Sequence, residues 1–302
     1  MSRRILALAA ALVLGTAAAQ TVHFGYVEWP GVTVKTRVAA DVLGALGYKT
    51  DAKALSVPIV LKGIDNGDLD VFLGVWRPSM NAMLKPYLGD GTGLELAATN
   101  LQPTLYRPAV PSYVAKQGIH SLADVAAHAD MFDHKAYGIE PGNDGNKLLL
   151  DMIKNDTYGW SDMHMVASST QGMLSQVKRA VDRKEPIVFL AWSPHWMNAV
   201  YDLTYLDDPQ QVWGGNGTVS TAVNSEYMAA HPDLESFFSK MKVDPDTQNA
   251  WIDAYSRQGE EADKVARQWI AAHLDEVSRW TQGMTATDGT PAAQALTAAF
   301  GS

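Results

Sequence analysis

The chain has 302 residues, with 24 basic against 33 acidic side chains and a formal net charge of −9. That acidic balance argues against nucleic acid or an anionic membrane surface as partner. With no cysteine, neither a disulfide framework nor a thiol nucleophile is available, and the fold must rest on its core. The length suits two domains, or one divided by a cleft.

The N-terminus reads as a secretory signal peptide over residues 1–19. Arg3 and Arg4 form a positive n-region, Ile5 to Leu14 an apolar stretch, and Ala17-Ala18-Ala19 a small-residue cleavage site before Gln20. The apolar stretch is too short for a retained membrane span. An exported protein of this kind is expected in a periplasm.

From Val22 the pattern is strand, helix, strand, repeated, which predicts an α/β fold with a parallel sheet. A strand over Val22 to Glu28 runs into Trp29. After the turn Pro30-Gly31-Val32, Thr33 to Leu46 carries Val34, Val38, Val42 and Ala45 on one helical face, and Gly47 is the expected stop. A strand from Thr50 to Leu55, a helix from Pro58 to Asn66 and a strand from Asp70 to Val75 follow, the last running into Trp76. Around Leu101 to Tyr113 the periodicity lapses and Pro103, Pro108 and Pro111 cluster, which reads as a crossover between lobes.

A second α/β unit is expected beyond it. Ser121 to Ala127 reads as helix, Tyr137 to Glu140 as strand, Asn146 to Ile153 as helix, Met163 to Ala167 as strand and Thr170 to Val181 as helix. The apolar run Ile187 to Ala191 is then a buried strand delivering Trp192, His195 and Trp196 at its end. From about Leu206 the chain returns toward the first lobe, and Pro232 to Trp280 is helical, with Trp251, Trp269 and Trp280 packing. The resulting division is 20–104 for the first part of lobe 1, 105–205 for lobe 2, and 206–302 for the return and the C-terminal helices. This describes a two-lobed binding protein of the periplasmic type II kind, with a hinged ligand cleft.

Open α/β sheets bind ligands outside the carboxyl ends of their strands. Trp29, Trp76 and Trp192, with Trp196 and either Tyr106 or Tyr113, therefore suggest an aromatic box. Ring faces carry negative quadrupole density, and a desolvated cation between them gains about 2 kcal/mol or more. A quaternary ammonium suits such a box, because it donates no strong hydrogen bond and loses little when rings replace its water. The segment from Tyr137 to Asn146 is a strand, a glycine-rich turn and a helix start, where Asn143 caps the helix or contacts a ligand. It is not a nucleotide loop. The eight histidines lack metal-ligand spacing, and no metal or cofactor is expected. A nucleophile elbow is missing too, so the chain is read as non-enzymatic. Two rivals stay open: a cleft protein for another small solute such as an amino acid, and an exported hydrolase using Ser193 and His195 on a cationic ester.

Several of these stretches resemble a known family. Gly25-Tyr-Val-Glu-Trp29, Asp70-Val-Phe-Leu-Gly-Val-Trp76-Arg-Pro-Ser-Met80, Tyr137-Gly-Ile-Glu-Pro-Gly-Asn-Asp-Gly-Asn146, Gln171-Gly-Met-Leu174 and Phe189-Leu-Ala-Trp-Ser-Pro-His195 are similar to the periplasmic binding proteins of choline and glycine betaine ABC importers. The choline-binding branch is the nearer, through the Glu-Pro-Gly-Asn-Asp-Gly-Asn turn. The resemblance implies a monomer that hands its ligand to an inner-membrane permease. Trp29, Trp76, Tyr106 and Trp192 would surround the trimethylammonium group, and Asn143 would contact the other end. In the choline branch an aspartate lies two residues after the first box tryptophan, where this chain has Gly31. Its loss removes a partner for a cation and a repulsion against a carboxylate, which favours a zwitterion such as glycine betaine or carnitine. The N–H groups of Gly31 and Val32, with Arg77 and His195, would then hold the carboxylate. Tight choline binding would instead require Glu28 or Asp144 in the missing acid's place.

Overall fold

The computed structural model describes residues 21–301; the expected signal peptide lies outside the described residues. The strands are β1 (Thr21–Tyr26), β2 (Lys49–Ala54), β3 (Val71–Arg77), β4 (Leu94–Pro111), β5 (Lys135–Tyr137), β6 (His164–Val166), β7 (Phe189–Ser193), β8 (Leu203–Tyr205) and β9 (Gly217–Asn224). They lie in the order β2-β1-β3-β9-β4-β7-β5-β6, with β8 on β4. The β1, β2 and β3 pairings are parallel, as are those of β5 with β6 and β7. The long strands β4 and β9 run antiparallel between these two parallel ends.

Four helices frame the cleft: α1 (Pro30–Ala45), α2 (Val57–Asp65), α3 (Asp144–Lys154) and α4 (Thr170–Arg183). Three more cover the outer face of the first half: α5 (Pro245–Ile252), α6 (Ala262–Ala272) and α7 (Leu274–Trp280). Helix α1 is buried nearly all round, because the sheet lies on one side of it and α5 and α6 on the other. Gly47, with φ of +86°, turns the chain out of α1 as expected of a left-handed stop. In α4 the apolar stripe is Met173, Leu174, Val177 and Ala180, and the Ser169 hydroxyl caps its first turn by accepting from the Gly172 N–H.

Two stretches differ from the sequence expectation. Residues 101–113 are mostly strand, not a loop crossover. Proline lacks an N–H, and of the three prolines only Pro103 falls in a register break, between Leu101 and Thr104; Pro108 pairs with Leu190 of β7 and Pro111 with Leu203 of β8. β4 is itself the connection between the halves: Thr104 pairs with Gly217 of β9, and the next residue, Leu105, with Ser193 of β7. Gly31 and Val32 are likewise not in a turn. They form the first turn of α1, which begins at Pro30 because proline suits the first helical position.

The segment after Tyr205 stays with the second half. Asp207 exchanges backbone bonds with His120 and Leu122, the Tyr158 hydroxyl donates to Asp208 at 2.6 Å, and Arg107 donates to the Gly214 carbonyl at 2.9 Å. The return to the first half is β9. One apolar core runs through both halves, from Val60, Leu61 and Phe72 past the tryptophans of the cleft to Leu190 and Met173. A second lies beneath the C-terminal helices.

Candidate functional site

Between the halves lies a cavity lined by Trp29, Trp76, Tyr106, Ile139, Asp144 and Trp192. Each side chain is delivered by a strand or its end. Trp29 follows β1 and is the N-cap residue of α1, Trp76 is the penultimate residue of β3, and Ile139 and Asp144 follow β5. Tyr106 and Trp192 face each other across the β4–β7 ladder, so they share a face of the sheet. Trp192 thus lies within β7, which starts two residues later than the sequence suggests.

Tyr106 is the hub. Its ring meets Trp76 at 6.0 Å, Trp192 at 6.1 Å and Trp213 at 5.7 Å, each edge to face. Tyr113 lies elsewhere, its hydroxyl donating to the carbonyls of Ala180 and Glu185. Trp196 also stands outside the cavity and donates its indole N–H to the Ser256 hydroxyl at 2.8 Å. Trp213 is core, its N–H turned to the Met152 sulfur.

The two halves are joined across the cavity. The Trp29 indole N–H donates to the Glu140 carboxylate, whose other oxygen accepts from the Thr170 hydroxyl at 3.3 Å. Trp29 belongs to the first half, Glu140 and Thr170 to the second. The Trp196–Ser256 bond makes a second bridge between the halves, outside the cavity.

Asn143 is not among the residues lining this cavity. Its amide oxygen accepts from the Asn146 N–H at 2.8 Å and caps α3, while its amide N–H donates to the Glu140 carbonyl. Asn146 in turn bonds both the N–H and the carbonyl of Ile139 at 2.9 Å. The turn that presents Asp144 is therefore pinned by two asparagines. Gly31 also faces elsewhere: a Cβ there would run into the side chains of Gln248 and Ile252 on α5. Val32 is 1 % exposed within the first core.

His195 is 1 % exposed, and its ring packs 5.0 Å from Trp192 and 5.1 Å from Trp196. Burial pulls it down to about 3, so it is neutral at physiological pH. Nδ1 accepts from the Met197 N–H at 3.2 Å, which leaves the proton on Nε2, where it finds no partner. No hydrogen bond joins it to Ser193 among the described residues, as a serine hydrolase would require.

Asp144 is the residue that sequence reasoning placed last. Directly after an N-cap, an acid reads as a helix-dipole partner exposed to water. Here it is 2 % exposed and Oδ2 has no hydrogen-bond partner. Burial pushes the carboxyl up to about 6 against the lowering effect of the Ser79 hydroxyl and nearby backbone N–H groups, with the Glu140 charge adding to the rise. Glu28, the other candidate acid, is exposed. Among the described residues no group of three or more His, Asp or Glu is placed to hold a metal ion, and no helix is long and apolar enough to cross a membrane.

Comparison with known proteins agrees with this geometry. Residues 20–272 match the family described as the substrate binding domain of ABC-type glycine betaine transport systems. An ABC-transporter choline binding protein solved in complex with choline has a TM-score of 0.90 and 39 % identity, covering 93 % of this chain and 98 % of that one. Lactococcal OpuAC, in its closed-liganded conformation with glycine betaine, has a TM-score of 0.78 and 25 % identity, covering 87 % of this chain and 100 % of its own. The glycine betaine/carnitine transport binding protein GbuC of Listeria monocytogenes is 29 % identical over 176 residues, 56 % of this chain and 57 % of that protein. The fold expected from sequence, a two-lobed α/β binding protein, is the fold of these relatives. This chain belongs to the family of substrate-binding domains of ABC-type glycine betaine transport systems.

Proposed function

We propose that the protein captures a quaternary ammonium solute outside the cytoplasm, encloses it between Trp29, Trp76, Tyr106 and Trp192, and delivers it as a monomer to the permease of an ABC importer. It works by binding alone. The observation that carries the reading is the cavity itself: four aromatic side chains from both halves enclose a space that holds an acid and no base. A trimethylammonium group gains about 2 kcal/mol or more from a desolvated ring face. Asn143 serves this site indirectly, by holding the turn from which Ile139 and Asp144 reach the cavity. Gly31, Val32 and His195 support its walls, through the start of α1 and the back of Trp192.

An amino acid reading would need a basic clamp for the carboxylate, and Arg77 is exposed and bonded to Asn81 at 2.9 Å. The test is calorimetric titration of the wild type and Trp192→Ala with choline, glycine betaine and carnitine. The wild type should bind at least one tightly, and the variant none measurably, with its circular dichroism unchanged. Wild-type affinity in Trp192→Ala would sink the box assignment.

A further inference from the structure

The lining of the box is mostly apolar and aromatic, and two polar groups of its residues have no partner. One is Asp144 Oδ2 and the other the Tyr106 hydroxyl, both enclosed and both without a hydrogen bond. They belong to neighbouring parts of the lining, since Asp144 directly precedes the glycine that the Tyr106 hydroxyl touches. The Tyr106 hydroxyl packs against the backbone of Gly145, in the space where any larger residue would carry its Cβ. The Asp144 charge is also felt at the Tyr106 phenol, which is raised well above its ordinary value by burial first and by that charge second. A buried carboxylate oxygen with no partner costs a protein stability unless something supplies the missing interaction. In a cavity walled by rings, a bound ligand or water supplies it.

From this we infer that Asp144 sets the charge class of the ligand: the site favours a quaternary ammonium of net positive charge with a short hydroxyl tail over one that carries its own carboxylate. The inference rests on the aromatic-box reading and adds to it the sign of the tail. A cation beside an ionised carboxylate in a site sheltered from water is attracted far more strongly than at a surface. A hydroxyl tail can donate to Asp144 Oδ2 and accept from the Tyr106 hydroxyl, satisfying both orphan groups at once. A carboxylate tail would meet Asp144 as a like charge, with no base in the lining to offset it. The groups that would have held such a carboxylate face elsewhere. Gly31 turns toward Gln248 on α5, Arg77 is exposed, and His195 is neutral behind Trp192. The absence of an acid at position 31 thus does not leave the site without one, because Asp144 enters from the opposite half.

The experiment is titration of the full chain and of Asp144→Asn with choline, glycine betaine and tetramethylammonium at pH 7.5, a working value about 1.5 units above the raised carboxyl. The wild type should prefer choline to glycine betaine by tenfold or more. Asp144→Asn should weaken choline and tetramethylammonium about tenfold or more and leave glycine betaine equal or tighter, so that the preference collapses. Equal losses for choline and betaine would mark Asp144 as a structural residue only and overturn the inference, as would a wild type that prefers betaine. A wild type that binds none of the three overturns the box reading as well. Should Asp144→Asn not fold, the wild type alone decides through its pH profile. The titratable groups facing Asp144 are Glu140 on its own turn and Tyr106 on β4, with the Ser79 hydroxyl after β3. Choline affinity should fall between pH 6.5 and 5, about the raised carboxyl, while betaine affinity holds or rises; parallel profiles would overturn the inference.

Discussion

The protein contains two groups of three buried tryptophans, and they behave in opposite ways. In the C-terminal helices Trp251 and Trp269 meet edge to face at 4.9 Å, Trp269 stacks on Trp280 at 5.6 Å, and His273 lies 4.6 Å from Trp269 on another side. Those rings fill their space with one another. In the cleft, no close ring pair joins Trp29, Trp76 and Trp192 among the described residues; Tyr106 links the last two, and a cavity lies between them. Burial does not separate the groups, for all six side chains are at most 9 % exposed. What separates them is whether the ring faces are already satisfied. On the proposed reading, the open faces of the cleft group are the binding surface and the covered faces of the C-terminal group are core.

Substitutions should split along that line. Trp269→Ala removes the centre of the packed group and should cost on the order of 3–5 kcal/mol of stability, read as a melting temperature lower by about 10 °C, with ligand affinity unchanged below the transition. Trp76→Ala should do the reverse, weakening a quaternary ammonium ligand by thirtyfold or more, from about 2 kcal/mol per desolvated ring, with a smaller change in melting temperature. If both variants lose stability and affinity together, the distinction between covered and open faces fails. Glu140→Ala should act at one remove, by freeing the Trp29 indole. A lost hydrogen bond to a charged group is worth about 1.5–3 kcal/mol, so affinity should fall about tenfold to a hundredfold with the melting temperature of the free protein little changed.

The smallest effect is that of pH on the free protein. Because burial raises the Asp144 carboxyl to about 6, the folded state holds its proton more tightly than the unfolded chain does. Stability from this group is therefore present at acid pH and lost as pH rises through about 6. Asp144→Asn should remove that dependence and raise the melting temperature of the free protein at pH 7.5, about 1.5 units above that carboxyl. His195, held near 3 by burial, should add no inflection near neutrality.

The positions of Trp29, Trp76 and Trp192 were legible because short apolar runs ending in tryptophan mark strand ends, and strand ends mark a cleft. The parallel strands at both ends of the sheet were legible for the same reason. β4 was not. Its prolines break the alternation that reveals a strand, yet Pro103 sits in a register shift and Pro108 and Pro111 are paired with β7 and β8. Nor was the difference between Asn143 and Asp144 legible. Both stand in a polar turn, and only the three-dimensional path of the chain spends the Asn143 amide on backbone partners while leaving an Asp144 oxygen with none. The direction of Gly31 had no signal either, since it depends on Gln248, more than two hundred residues later in the chain.

The bond between the Trp29 indole and Glu140 joins a wall of the box in one half to a carboxylate in the other. With the halves apart, the box is missing Tyr106 and Trp192 on one side or Trp29 and Trp76 on the other, so on the proposed reading neither half would hold a ligand well by itself. On that reading, departure would be gated by a motion of the protein and not by the strength of any one ring contact. Ligands that differ in equilibrium affinity should leave with similar rate constants once closed in, and a partner that pulls the halves apart would discharge all of them alike.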